Sequence, residues 1–143
     1  YWDLDGTDHM REHSLRIKAT MYLPIDNENL VTGVIAPVTE TFYDFMAQTP
    51  LMLGKAKLDN TFCLSDQRRP LTDVLCLKGR SGIAMTLATT EAGAHIFDNY
   101  PKYDSIAIEA QGWPDAPNKR SFPSIAISPD APIIQVTQWR FTR

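Results

Sequence analysis

The residues best placed to do chemistry lie in Ser105-Ile106-Ala107-Ile108-Glu109-Ala110-Gln111. In an extended strand successive side chains alternate between faces. Ile106 and Ile108 therefore share one face, and Ser105, Ala107, Glu109 and Gln111 share the other. Small residues beside a carboxylate leave space above the sheet that a ligand can fill. Taken alone, the strand fits an ordinary glutamate on a solvated face at least as well. The residues after it, Gln111-Gly112-Trp113-Pro114-Asp115-Ala116-Pro117-Asn118, are dense in turn formers. Two prolines with Asp and Asn fix a rigid loop just past the glutamate.

Three histidines and an aspartate are the other candidates. His13 falls in phase with Leu15 and Ile17, on the apolar side of a strand, where a satisfied core histidine is the commoner outcome. His9 lies in a polar turn, and His95 sits between Ala94 and Ile96 with its role open. Asp59 stands at the mouth of the apolar run Phe62-Cys63-Leu64, where a turn or capping role fits equally. Trp2, Trp113 and Trp139 suit either a core or a stacking platform for a pyranose. Phosphate-loop, dinucleotide and zinc-protease signatures are absent.

The elements that must position these residues are strands. Alternation and short apolar runs dominate the 143 residues, with 10 prolines and 7 glycines between them. Strands are expected over 14–22, 31–37, 60–65, 73–78, 82–90, 94–98, 105–111, 124–128 and 134–142. Turns are expected over 24–29, 78–82, 99–101 and 113–118. Strands this closely spaced make an all-β, two-sheet β-sandwich, because each sheet must cover the other's apolar face. With no linker or repeat, residues 1–143 read as one domain or part of one.

Composition bounds the partners. Net charge is −3, from 14 basic and 17 acidic residues with no basic run, which argues against nucleic acid and anionic membranes. No apolar stretch approaches the roughly 18 residues that span a bilayer. Cys63 and Cys76 each sit among apolar neighbours and read as free thiols, which fits a reducing cytoplasm.

In order along the chain, several segments resemble the aldose 1-epimerase (galactose mutarotase) family. Tyr1-Trp2-Asp3-Leu4-Asp5-Gly6, His13-Ser14-Leu15-Arg16-Ile17 and Tyr22-Leu23-Pro24-Ile25-Asp26 are similar to its motifs. So are Thr32-Gly33-Val34-Ile35, Pro37-Val38 through Tyr43-Asp44-Phe45, and Asp59-Asn60-Thr61-Phe62. The most specific match is Ile108-Glu109-Ala110-Gln111 with Trp113-Pro114-Asp115-Ala116-Pro117-Asn118 and Phe122-Pro123. The resemblance as a whole is to the C-terminal half of the family pattern and spans nearly all 143 residues.

The resemblance implies an incomplete copy of the family's two-sheet supersandwich, acting on a free monosaccharide such as galactose or glucose. It puts the catalytic base on Glu109, the acid on His13 and a sugar-binding aspartate on Asp59. His95 falls where the family has a sugar-contacting glutamine. Mutarotation needs no metal or redox cofactor: a base takes the anomeric hydroxyl proton while an acid protonates the ring oxygen. These four residues are expected to converge on one cleft.

His95 in place of that glutamine is one departure from the family, and two further departures accompany the match. Relatives carry an Asn-His pair immediately ahead of the position of Tyr1, and an arginine further upstream, both part of the site. They also have a longer loop where this chain has Pro101-Lys102-Tyr103-Asp104. The start at Tyr1-Trp2 without methionine is read as a fragment, whose open edges and apolar faces a complementing N-terminal segment or a second copy would cover. The alternatives are a non-catalytic carbohydrate-binding or regulatory module, and a hexose 6-phosphate epimerase using Arg68-Arg69.

Overall fold

A computed structural model describes residues 1–10, 12–51, 58–98 and 104–143. The expected turn at 99–101 and the shortened loop, apart from Asp104, lie outside the described residues.

The apolar alternation produces strands β1 (Ser14–Ile17), β2 (Met21–Leu23), β3 (Ala36–Pro37), β4 (Thr49–Pro50) and β5 (Asp59–Cys63). They are followed by β6 (Thr72–Lys78), β7 (Ala84–Thr89), β8 (Gly93–Phe97), β9 (Ala107–Gln111) and β10 (Thr137–Thr142). They form two antiparallel sheets in the orders β10-β7-β6-β1-β4 and β3-β2-β5-β8-β9. Register explains the core. Leu15 pairs with Leu77 and Leu77 with Met85, while Ile17 pairs with Leu75 and Leu75 with Leu87. Directly paired residues share a face, so these six side chains line the inner side of the first sheet. Phe62, Ala94, Ile96 and Ile108 line the inner side of the second, and all ten belong to one buried cluster. The expected all-β two-sheet architecture is what forms.

Several boundaries differ from the sequence reading. The expected strand 14–22 is two strands in different sheets, since the chain leaves the first sheet after Ile17 and joins the second at Met21. Ala19, 4% exposed, continues the buried alternation of Leu15 and Ile17 through the crossing, so periodicity alone hides it. Only Ala36–Pro37 of the expected strand 31–37 pairs as a strand. Pro37, which lacks an N–H, sits on an edge where none is needed. Val31 makes a single bridge to Ile25, and in place of the expected strand 124–128 only Ser128 bridges, to Ala131. Strand β4 was not expected at all.

The two cysteines are free and lie in different sheets. Burial pushes the Cys63 thiol up to about 12, so it is protonated and unreactive at neutral pH. No helix among the described residues is long and apolar enough to cross a membrane.

Candidate active site on the outer face of the second sheet

Three neighbouring strands build the site. Thr61 on β5 pairs with His95 on β8, and His95 pairs with Glu109 on β9. Asp59 lies two residues before Thr61, on the same face. Since Phe62, Ile96 and Ile108 point into the core, Asp59, Thr61, His95 and Glu109 point the other way, out of the sandwich.

The polar atoms there are connected. Thr61 Oγ1 is 3.0 Å from His95 Nδ1, and His95 Nε2 is 3.2 Å from Asp59 Oδ1. The His95 and Asp59 side chains are 20% and 30% exposed, enough to meet a ligand. Glu109 is exposed one strand over, its Cβ about 4.5–5.5 Å from that of His95 by cross-strand geometry.

Two loops wall a cavity of about 640 Å³ above Asp59, Thr61 and His95, within the usual range for small-molecule sites. One wall is the 25–32 loop. There Asp26 Oδ1 accepts the N–H groups of Glu28 and Leu30, and Asn29 adopts a left-handed φ of 63°. The other wall is the loop after β9, which contributes Pro114, Asp115 and Lys119. Its rigidity comes from a second small core of Leu23, Ala92, Trp113, Ala116 and Phe122. Trp113 Nε1 donates to Ala92 O at 2.9 Å, and its ring packs edge-on against Phe122. Asp115 takes a left-handed φ of 61° and Ala116–Asn118 form one 3₁₀ turn. The walls meet where Lys119 passes Gly33: a Cβ there would lie 3.3 Å from Lys119 Cδ.

The tryptophans are thereby assigned to packing. Trp113 is buried, while Trp2 packs at a tilt against Trp139 and Phe141, at centroid distances of 5.1 and 5.5 Å. The Arg68-Arg69 pair is also engaged. Arg68 faces the buried Glu91 carboxylate at 3.2 Å, and Arg69 donates to Leu64 O.

The expected convergence of four residues is corrected: Asp59 and His95 line the cavity, Glu109 lies on the same face but is not among the lining residues, and His13 is not brought to this cleft. It precedes β1 in the first sheet, is 0% exposed, and lies in phase with Leu15 and Ile17 on the inner side. The second sheet's backbone therefore separates it from the Glu109 carboxylate. Its Nε2 accepts the Leu4 N–H at 3.0 Å, and a nitrogen that accepts has no proton to give.

The surroundings of His13 are an electrostatic clasp for the N-terminal segment. Asp3 accepts N–H groups from Asp5, Gly6, Thr7 and Asp8. Its carboxyl is held low, desolvation notwithstanding, by the N–H groups of Asp5, Thr7 and Asp8. Asp5 is held down to about 2 by the Ser81 hydroxyl, against desolvation, and then by the N–H groups of Ser81 and Arg80. A depressed carboxyl stabilises the fold fully above its ordinary value of 3.8 and loses that contribution as pH falls toward 2. An added Cβ at Gly79 would overlap Asp5 Oδ1 and lie 2.9 Å from Cγ. Gly79→Ala is therefore expected to displace the carboxylate and cost about 1–2 kcal/mol at neutral pH, allowing for solvent at these bonds. The variant should also lose less stability between pH 4 and pH 2 than the parent. Urea midpoints at pH 7 and pH 3 check both effects.

Sequence reasoning missed Thr61 as a site residue. The signal was present in its two-residue spacing from Asp59, which puts both on one face. Among the described residues no group of three or more His, Cys, Asp or Glu side chains stands where it could hold a metal ion.

This two-sheet scaffold, with a carboxylate and an Asp–His pair on one outer face, is a member of a described class. The aldose 1-epimerase family model matches residues 1–138, and the chain belongs to that family. It is 29% identical to galactose mutarotase of Rattus norvegicus over 96% of this chain and 46% of that protein. It is 25% identical to aldose 1-epimerase of Haemophilus influenzae over 82% of this chain and 42% of the other. A crystal structure of a GalM/aldose epimerase homologue from C. elegans superposes with a TM-score of 0.88 at 26% identity, covering 99% of this chain and 49% of that one. The chain thus spans about half the length of the relatives it matches.

Proposed function

We propose that this chain carries the base-bearing part of an aldose 1-epimerase site and interconverts the α and β anomers of a free hexose such as galactose or glucose. The observation that carries the reading is the shared outer face. Glu109 stands one strand from His95 there, and His95 faces Asp59. Glu109 takes the proton of the anomeric hydroxyl as the ring oxygen gains one. The C1–O5 bond breaks to give the open aldehyde, rotation about C1–C2 exposes its other face, and reclosure reverses both transfers. A positioned base typically contributes about 10²–10⁴-fold. Asp59 and His95 hold sugar hydroxyls in this reading.

The proton for the ring oxygen comes from neither described histidine nearby. His13 is sealed in the core, and both ring nitrogens of His95 face partners. Strand β9 is the outer strand of its sheet, and the antiparallel Trp2–Ile106 bridge sets a register for whatever precedes Tyr1. In a chain that carries the family's Asn-His pair there, that pair would run beside Ile108 and Glu109. We also infer that such a segment, or a second copy, covers the edge. The two free thiols support a cytoplasmic setting.

A binding-only module is the second reading, favoured because His13 is buried and both ring nitrogens of His95 are engaged. The 6-phosphate reading finds little support. Arg68 and Arg69 are engaged, and Lys119, the one Lys or Arg lining the cavity among the described residues, lies 3.5 Å from Asp115. Saturation transfer between the α and β anomeric protons of galactose, glucose and glucose 6-phosphate tests the choice. Enhanced exchange in the free sugars supports the epimerase. Shifted sugar lines without enhanced exchange support the binding module, and enhancement confined to the phosphate ester supports the third reading.

A further inference from the structure

Asp59 and His95 can serve a sugar only if the imidazole is held one way round, and the side chain that meets its far nitrogen is Thr61. An ionised carboxylate only accepts, so the His95 nitrogen facing Asp59, Nε2, carries the proton. A neutral imidazole protonated there leaves Nδ1 bare and in need of a donor. The Thr61 hydroxyl, 3.0 Å away, is that donor. Thr61 is 1% exposed on the central strand of its sheet, so water is poorly placed to replace it. Its rotamer is seated as well. A Cβ built on the buried Gly93 would lie 3.0 Å from Thr61 Cγ2, so the methyl fills the space that the glycine leaves. A β-branched side chain is already stiff about χ1, and this packing aims the hydroxyl at His95.

We propose that Thr61 is a positioning residue that locks His95 in its Nε2–H tautomer and thereby holds Asp59 as a hydroxyl acceptor in the sugar site. The tautomer lock stands on geometry alone, and its consequence for sugar rests on the function proposed above. Thr61→Val keeps the methyl and removes the donor, whereas Thr61→Ser keeps the donor.

Ring ¹⁵N shifts of His95 in the full chain read the lock directly. The parent and Thr61→Ser should show one Nε2–H tautomer, and Thr61→Val a mixture. In the anomeric-exchange assay Thr61→Val should raise KM about tenfold with kcat within about threefold, the pattern of lost uniform binding, and Thr61→Ser should restore it. A single unchanged tautomer in Thr61→Val overturns the proposal, as does an Nδ1–H tautomer in the parent. Should Thr61→Val fail to fold, Thr61→Ser decides: one Nε2–H tautomer supports the lock and a mixture refutes it. Tautomers as expected in a protein that does not speed exchange would leave the lock standing and remove the epimerase reading.

Discussion

Replacing Glu109 by Gln is expected to slow anomer exchange by at least about two orders of magnitude while sugar affinity changes little. The amide keeps the size of the carboxylate and most of its hydrogen-bonding reach, but it cannot take a proton near neutral pH. Because Glu109 is exposed at the outer face of an edge strand, the change leaves the core untouched, and the folded fraction should be unaltered. The KM-against-kcat split is therefore the informative readout. A fall in kcat at constant KM marks a group acting on the reacting atoms, whereas a rise in KM alone would reduce Glu109 to a binding contact. Parental turnover in Glu109→Gln would remove it as the base.

The largest effect on stability is expected from Phe62→Ala, about 3–5 kcal/mol. Phe62 is 0% exposed at the centre of the second sheet. Its ring meets Tyr43 and Phe45 edge-on at 6.4 and 6.0 Å, and truncation leaves a cavity between rings that cannot collapse onto it. The urea midpoint should fall with the m-value unchanged. Ile127→Ala provides the contrast, since Ile127 is 74% exposed and should shift stability by less than about 0.5 kcal/mol. Phe62 shares β5 with Asp59 and Thr61 but points inward, so activity per folded molecule should survive better than stability. A Phe62→Ala variant as stable as the parent would contradict the placement of the core.

Alternation carried much of this in the sequence. Ile106 and Ile108 against Glu109 and Gln111 separate inner from outer faces without any structure, and His13 is visibly in phase with Leu15 and Ile17. Alternation says that a side chain faces a core, but not which sheet it belongs to or whether a cleft opens there. His13 illustrates the limit: its apolar phase was legible, and its burial beneath the sheet that carries Glu109 was not. The Asp59–His95 contact joins residues 36 positions apart through the β5–β8 register, which no local spacing encodes. Ile125 and Ile127 alternate as a strand would, yet the strand does not form, because pairing needs a neighbour and the only bridge there is Ser128 to Ala131. Strand β4 is the opposite case, a two-residue pairing with Ser14 and Leu15, too short to have a period.

The most direct test is polarimetry of freshly dissolved α-galactose, with buffer, the protein and Glu109→Gln compared at equal folded concentration. Rotation should reach equilibrium well ahead of the buffer rate with the protein and near the buffer rate with Glu109→Gln. Equal acceleration by both, or by neither while sugar still binds, would contradict the account.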